Sequence, residues 1–106
     1  MAKVPIACSL TANDAKDRIA EWRRFFEEHA EAADRTDGQL RVRLRPMDES
    51  LLAAADLSAR EKACCGFFVF AIEICADGRW LRIAVPSEAR GILEDFARLL
   101  PSALRD

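Results

Sequence analysis

Residues 67 to 85 constrain the fold more than any other part of the chain. Phe68, Phe70, Ile72 and Ile74 alternate with Phe67, Val69, Ala71, Glu73 and Cys75, the two-residue period of a strand. Asp77-Gly78 follows, a pair suited to the positive backbone angles of a tight hairpin. Leu81, Ile83 and Val85 then resume the alternation until Pro86. An antiparallel hairpin with one strongly apolar face has to be covered, and the rest of the chain supplies the cover.

Leu40, Val42 and Leu44 alternate with Arg41, Arg43 and Arg45, which predicts another half-buried strand ending at Pro46. A short strand is expected at Val4–Leu10, with Cys8 on its apolar face. From Asp14 to about Ala33, Ile19, Trp22, Phe26 and Ala30 recur at helical spacing. Thr11 or Asn13 suits the cap of that helix, and the Ala30–Arg35 stretch is open to helix or strand. A second helix is expected from Asp48 through Leu51, Leu52, Ala55 and Leu57 to Cys65, with Gly66 in a left-handed position after its end. Ser87 opens a third, whose stripe is Ile92, Leu93, Phe96, Leu99 and Leu100, stopped by Pro101. The expected order is strand-helix-strand-helix-strand-strand-helix. It predicts a single α+β domain over residues 1–106, a mainly antiparallel sheet with helices packed on one face.

Composition narrows the function classes. Sixteen basic residues against eighteen acidic ones leave a formal net charge of -2, so no nucleic-acid footprint is expected from global charge. The arginines of 41, 43 and 45 read as the solvated face of a strand. No run approaches the roughly 20 apolar residues of a spanning helix. The first ten residues lack the pattern of an export signal, which predicts a cytoplasmic protein without membrane partners. In a reducing compartment four cysteines favour metal binding or thiol chemistry over a disulfide framework.

Reactive chemistry concentrates at Glu61-Lys62-Ala63-Cys64-Cys65-Gly66-Phe67-Phe68. Glu61 lies three and four residues before the two cysteines, so on a helix the three side chains share a surface. Leu57, one turn earlier, places that surface partly in the core, where a carboxylate needs a partner, a proton or a metal. Alternatively Glu61 sits at the rim and pairs with a Lys or Arg. Cys8 can join from the first strand. Two or three sulfurs with a carboxylate suit copper(I), zinc or mercury(II), and trivalent arsenic by the same affinity for sulfur. No organic cofactor is indicated. A bridge between adjacent Cys64 and Cys65 is disfavoured, because neighbouring α-carbons lie about 3.8 Å apart, short of an ordinary disulfide span. A bridge from Cys8 to either one is geometrically reasonable and would make a redox switch. A helix C-terminus opposes a thiolate, an objection to nucleophilic catalysis there. His29 reads as a surface or helix-end residue. Cys75, near the hairpin turn and off the Phe68–Ile74 face, is the weakest member of the set.

Cys8-Ser9-Leu10-Thr11 and Glu61-x-x-Cys64-Cys65-x-Phe67-Phe68-x-Phe70 together resemble a family of small, largely uncharacterised bacterial proteins. Its pattern is C-[TS]-L near the start and E-x-x-C-C-x-F-[FL]-x-F later, and the layout is similar over nearly the whole chain. The resemblance carries over Cys8, Glu61, Cys64 and Cys65 but not Cys75. Gly66 stands where the family often has proline. Segments of this kind occur beside metal-responsive regulators, which implies a soft-metal role. Three readings follow: a cytosolic thiolate-based protein for a soft metal or metalloid ion (sequestration, delivery or sensing), a thiol redox or transfer enzyme using Cys64 or Cys65, and a structural or interaction module with buried cysteines. The implied ligands are Cys8, Glu61, Cys64 and Cys65, and the implied partner is a metal ion or a small thiol-reactive ligand.

Overall fold

The computed structural model describes residues 12–105. The expected strand at Val4–Leu10, and Cys8 and Thr11 with it, lie outside the described residues. The described elements are α1 (Ala12–His29), β1 (Ala30–Thr36), β2 (Gln39–Leu44), α2 (Asp48–Cys64), β3 (Val69–Cys75), β4 (Gly78–Ala84) and α3 (Arg90–Ala97), with short 3-10 turns at Ser87–Ala89 and Ser102–Leu104. The strands form one antiparallel sheet in the order β1-β2-β4-β3. This is the expected α+β class.

Two antiparallel hairpins build the sheet, and β2 and β4 join them in the middle. Val42 pairs with Leu81 and Leu40 with Ile83, so the apolar faces of both central strands coincide. Leu40, Val42, Leu81 and Ile83 are fully buried. Trp22, Phe26, Phe68 and Phe96 pack in the same core. Trp22 meets Phe96 edge-on at 4.7 Å and stacks on Phe70 at 6.0 Å. The opposite face carries Arg41, Arg43, Glu73, Trp80 and Arg82. There the Arg41 guanidinium lies 4.1 Å from the Trp80 ring centre and shields an aromatic on the solvent side. Arg82 and Arg41 both face Glu73, at 3.3 and 3.9 Å. The basic stripe is thus a solvated, ion-paired face.

Several local expectations change. Residues 30–36 leave the helix and pair with β2 around the Asp37-Gly38 turn, where Gly38 has φ of 77°. Alanine's helix preference amounts to tenths of a kcal/mol per residue, and strand pairing overrides it. Arg45 does not continue the strand face: its N–H bonds the His29 carbonyl at 2.8 Å and its Nε the Glu28 carbonyl at 2.9 Å, closing the end of α1. Asp48 is inside α2, and Met47 holds the cap position without a side-chain bond. The buried face of α2 is Ser50, Ala54, Leu57, Ser58 and Glu61, whereas Leu52 is 69% exposed. Gly66 has no positive φ. The chain leaves α2 extended at Cys65, and Lys62 Nζ reaches over to donate to the carbonyls of Gly66 and Phe68. Phe67 and Phe68 precede β3 rather than open it. Gly78 has φ of 140°, a backbone conformation that side-chain-bearing residues rarely adopt, so the turn requires glycine there. No helix among the described residues is long and apolar enough to cross a membrane.

Phe96 joins α3 to Trp22, Phe26 and Phe68 and is fully buried. Phe96→Ala is expected to cost about 3–5 kcal/mol in urea unfolding, the usual range for a deleted core aromatic. A loss below about 1 kcal/mol would show that α3 is not part of the cooperative core.

Candidate thiol and carboxylate site

The site begins with how α1 lies on α2. Arg18 faces Glu61, Glu21 faces Arg60 and His29 faces Ser50. Falling numbers on one helix against rising numbers on the other mean antiparallel packing. The start of α1 therefore lies beside the end of α2, where the two cysteines are.

Glu61 is completely buried. Its Oε1 accepts from Arg18 Nη1 at 3.1 Å and from the indole Nε1 of Trp22 at 3.0 Å. Its Oε2 has no hydrogen-bond partner. Burial pushes the carboxyl above its ordinary 4.5, while the bonds from Trp22 and Arg18 pull the other way. Half of the ionised group is thus unsatisfied, and Glu61 can take up a proton more readily than a surface glutamate. Beside it Arg60 donates to Glu21 at 3.1 and 2.9 Å and to Asp56 at 2.9 Å. That network is exposed. It lowers the Glu21 pKa, first through its hydrogen bond from Arg60.

Cys65 is fully buried in the core, and its N–H bonds the Glu61 carbonyl at 2.8 Å. It is half of a disulfide whose partner lies outside the described residues. Cys64, the last residue of α2, is a half-buried thiol packed against the core. Cys75 is an exposed thiol at the far end of β3, opposite Gly78. The structure thus brings Glu61, Cys64 and Cys65 to one helix end and leaves Cys75 apart. Cys8 lies outside the described residues. His29 closes the other end of α1, with Nδ1 2.8 Å from the Ser50 hydroxyl and Nε2 3.9 Å from Glu28. Among the described residues no group of three His, Cys, Asp or Glu is placed to hold a metal ion.

Arg18 and Trp22 are the site residues that sequence reasoning did not find. Trp22 read as core alone, and its N–H turns out to orient the carboxylate. Arg18 carried a signal: it falls on the buried stripe of α1 with Ala15, Trp22 and Phe25. A charge on that stripe calls for a buried counter-charge. Comparison with protein-family models, with curated proteins and with solved structures finds no match to the chain.

The raised pKa of Glu61 has a stability consequence with a definite sign. The folded state binds this proton more tightly than the unfolded chain. Its contribution is present below pH 4.5 and is lost as pH rises through the folded pKa. Urea unfolding of wild type and Glu61→Gln, from pH 4.5 upward, should show wild type losing ground to the variant as pH rises. A gap that moves the other way would refute the burial argument. Arg18→Ala leaves the carboxylate buried without its charge partner and should cost about 3–5 kcal/mol at neutral pH.

Proposed function

We propose that the protein is a thiolate-based binding protein for a soft metal or metalloid ion, working in a reducing compartment such as the cytoplasm in sequestration, delivery or sensing. The supporting observation is the disulfide at Cys65. A disulfide requires a second sulfur within bonding reach of Cys65. Among the described residues Cys64 and Cys75 are thiols, so that second sulfur lies outside them.

In this reading the disulfide is the empty, oxidised state. Two electrons and two protons from a dithiol reductant convert it to two thiols, and the reductant leaves as its own disulfide. Loading then replaces the thiol protons with the ion. Two thiolates around a divalent soft ion form a neutral unit, which suits a fully buried sulfur better than a net charge does. Cys64, the adjacent thiol, is a further ligand. Glu61 Oε2 accepts one of the released protons or serves as a carboxylate ligand. Mercury(II), copper(I) and trivalent arsenic fit a site with few sulfurs, whereas zinc prefers four donors.

The juxtaposition of the Cys64 thiol and the Cys65 disulfide also supports a second reading, thiol–disulfide exchange. An external thiolate attacks the disulfide, forms a mixed disulfide and displaces one sulfur, which takes up a proton from Glu61.

Native mass spectrometry of the reduced protein, kept anaerobic, with copper(I), zinc, mercury(II) and arsenite decides between them. Stoichiometric binding is expected, weakening at acidic pH and lost in the Cys64→Ser/Cys65→Ser double variant and in the oxidised protein. A folded reduced protein that binds none of the ions, or a double variant that binds as tightly as wild type, overturns the metal reading. Rapid alkylation of one thiol would then favour exchange, and uniformly slow alkylation a structural role for the cysteines.

A further inference from the structure

Among the described residues two buried side-chain oxygens have no hydrogen-bond partner, Ser58 Oγ and Glu61 Oε2. Both belong to the inner face of α2, where Ser58 is 6% exposed and Glu61 not at all. They stand three residues apart, so the two side chains are neighbours on the helix surface. Cys65, also fully buried, follows one turn after Glu61, and its N–H bonds the Glu61 carbonyl at 2.8 Å. Positions 58, 61 and 65 therefore run along one inward stripe. A buried oxygen without a partner is costly, and two of them side by side, next to a disulfide sulfur, point to a polar ligand held between them. Their chemistry is complementary. Arg18 and Trp22 both donate to Oε1, which leaves Oε2 as an open acceptor, and the Ser58 hydroxyl has a proton to donate.

We propose that this stripe selects a trivalent metalloid hydroxide, arsenous acid being the type, over a bare soft metal ion. The inference rests on the thiolate reading above and starts from the disulfide already reduced by the dithiol named there. Cys65 and the sulfur it was bonded to then displace two of the three hydroxyls of the metalloid. Two sulfur–metalloid bonds form and two metalloid–oxygen bonds break. Each departing hydroxyl takes one thiol proton and leaves as water. The metalloid stays trivalent, so the step needs no further electrons. Its third hydroxyl remains, donates its proton bond to Glu61 Oε2 and accepts one from Ser58 Oγ. For this ligand the retained hydroxyl stands in place of a third sulfur, and Cys64 is not required. Copper(I) and mercury(II) are satisfied by sulfur and bring no hydroxyl, so they leave both oxygens unpaired.

Anaerobic calorimetric titration and native mass spectrometry of the reduced full chain test the proposal. The ligands are arsenite, mercury(II) and methylarsonous acid, which carries a methyl group where arsenous acid keeps its third hydroxyl. Arsenite should add as a unit one water heavier than arsenic held by three sulfurs. Ser58→Ala and Glu61→Gln should each weaken arsenite about tenfold while leaving mercury(II) and methylarsonous acid within about twofold. Unchanged binding of those two ligands also shows that each variant is folded, and Ser58→Ala removes only an unpaired hydroxyl. Arsenite affinity that ignores both substitutions, or an adduct with three sulfurs, overturns the inference and leaves the thiolate reading standing. Parallel weakening of all three ligands overturns it as well, because Ser58 and Glu61 then act on the fold alone. If folded, reduced wild type binds none of the three, the thiolate reading itself fails and the inference falls with it.

Discussion

The carboxylate of Glu61 is the point on which the helical layer turns. Taking an acid wholly out of water is costly, and a single oxygen collects both compensating bonds, from Arg18 and from Trp22. Arg18 and Trp22 belong to α1 and Glu61 to α2, so the pair cannot slide along each other without breaking a buried ion pair. The Trp22 ring carries the constraint onward, because it stacks on Phe70 of β3 and meets Phe96 of α3. One buried acid thereby sets the register of two helices and touches the sheet and the last helix.

The same arrangement makes the end of α2 chemically distinct. The burial that raises the Glu61 pKa also encloses Cys65, one turn further on. Cys64 is next in the chain and half-buried. Two buried groups, the Glu61 carboxyl and Cys65, thus lie within one turn of each other along the chain at the end of α2. Nothing comparable exists around Cys75, which stands in solvent at the hairpin end.

Much of the sheet was legible because a two-residue period needs only local information. The strict alternation of residues 40–44 and 68–75 shows the strand faces directly, and Asp77-Gly78 shows the hairpin. The ends of helices were less legible. Ala30–Thr36 has the composition of a helix and becomes a strand because Gln39–Leu44 offers it a partner. Gly66 suits a left-handed cap, but the chain leaves α2 extended at Cys65, and the Lys62 side chain ties down the carbonyls of Gly66 and Phe68 beyond the helix end. The α2 stripe misled because two serines and a glutamate, not only leucines, face inward.

From the sequence by itself came the α+β class, the hairpin at Asp77-Gly78, the three helices and the concentration of chemistry at Glu61, Cys64 and Cys65. These follow from periodicity and from the spacing of neighbours along one helix, and both act over a few residues. Only the tertiary structure decided that Glu61 is buried rather than at a rim, that Arg18 and Trp22 are its partners, that Cys65 is in a disulfide, and that β2 and β4 are the central strands of the described sheet. Each of these depends on residues about forty or more positions apart in sequence or on the order of strands in the sheet. Such encounters are set by how whole faces pack, and no local pattern encodes which charge on one helix will meet which on another.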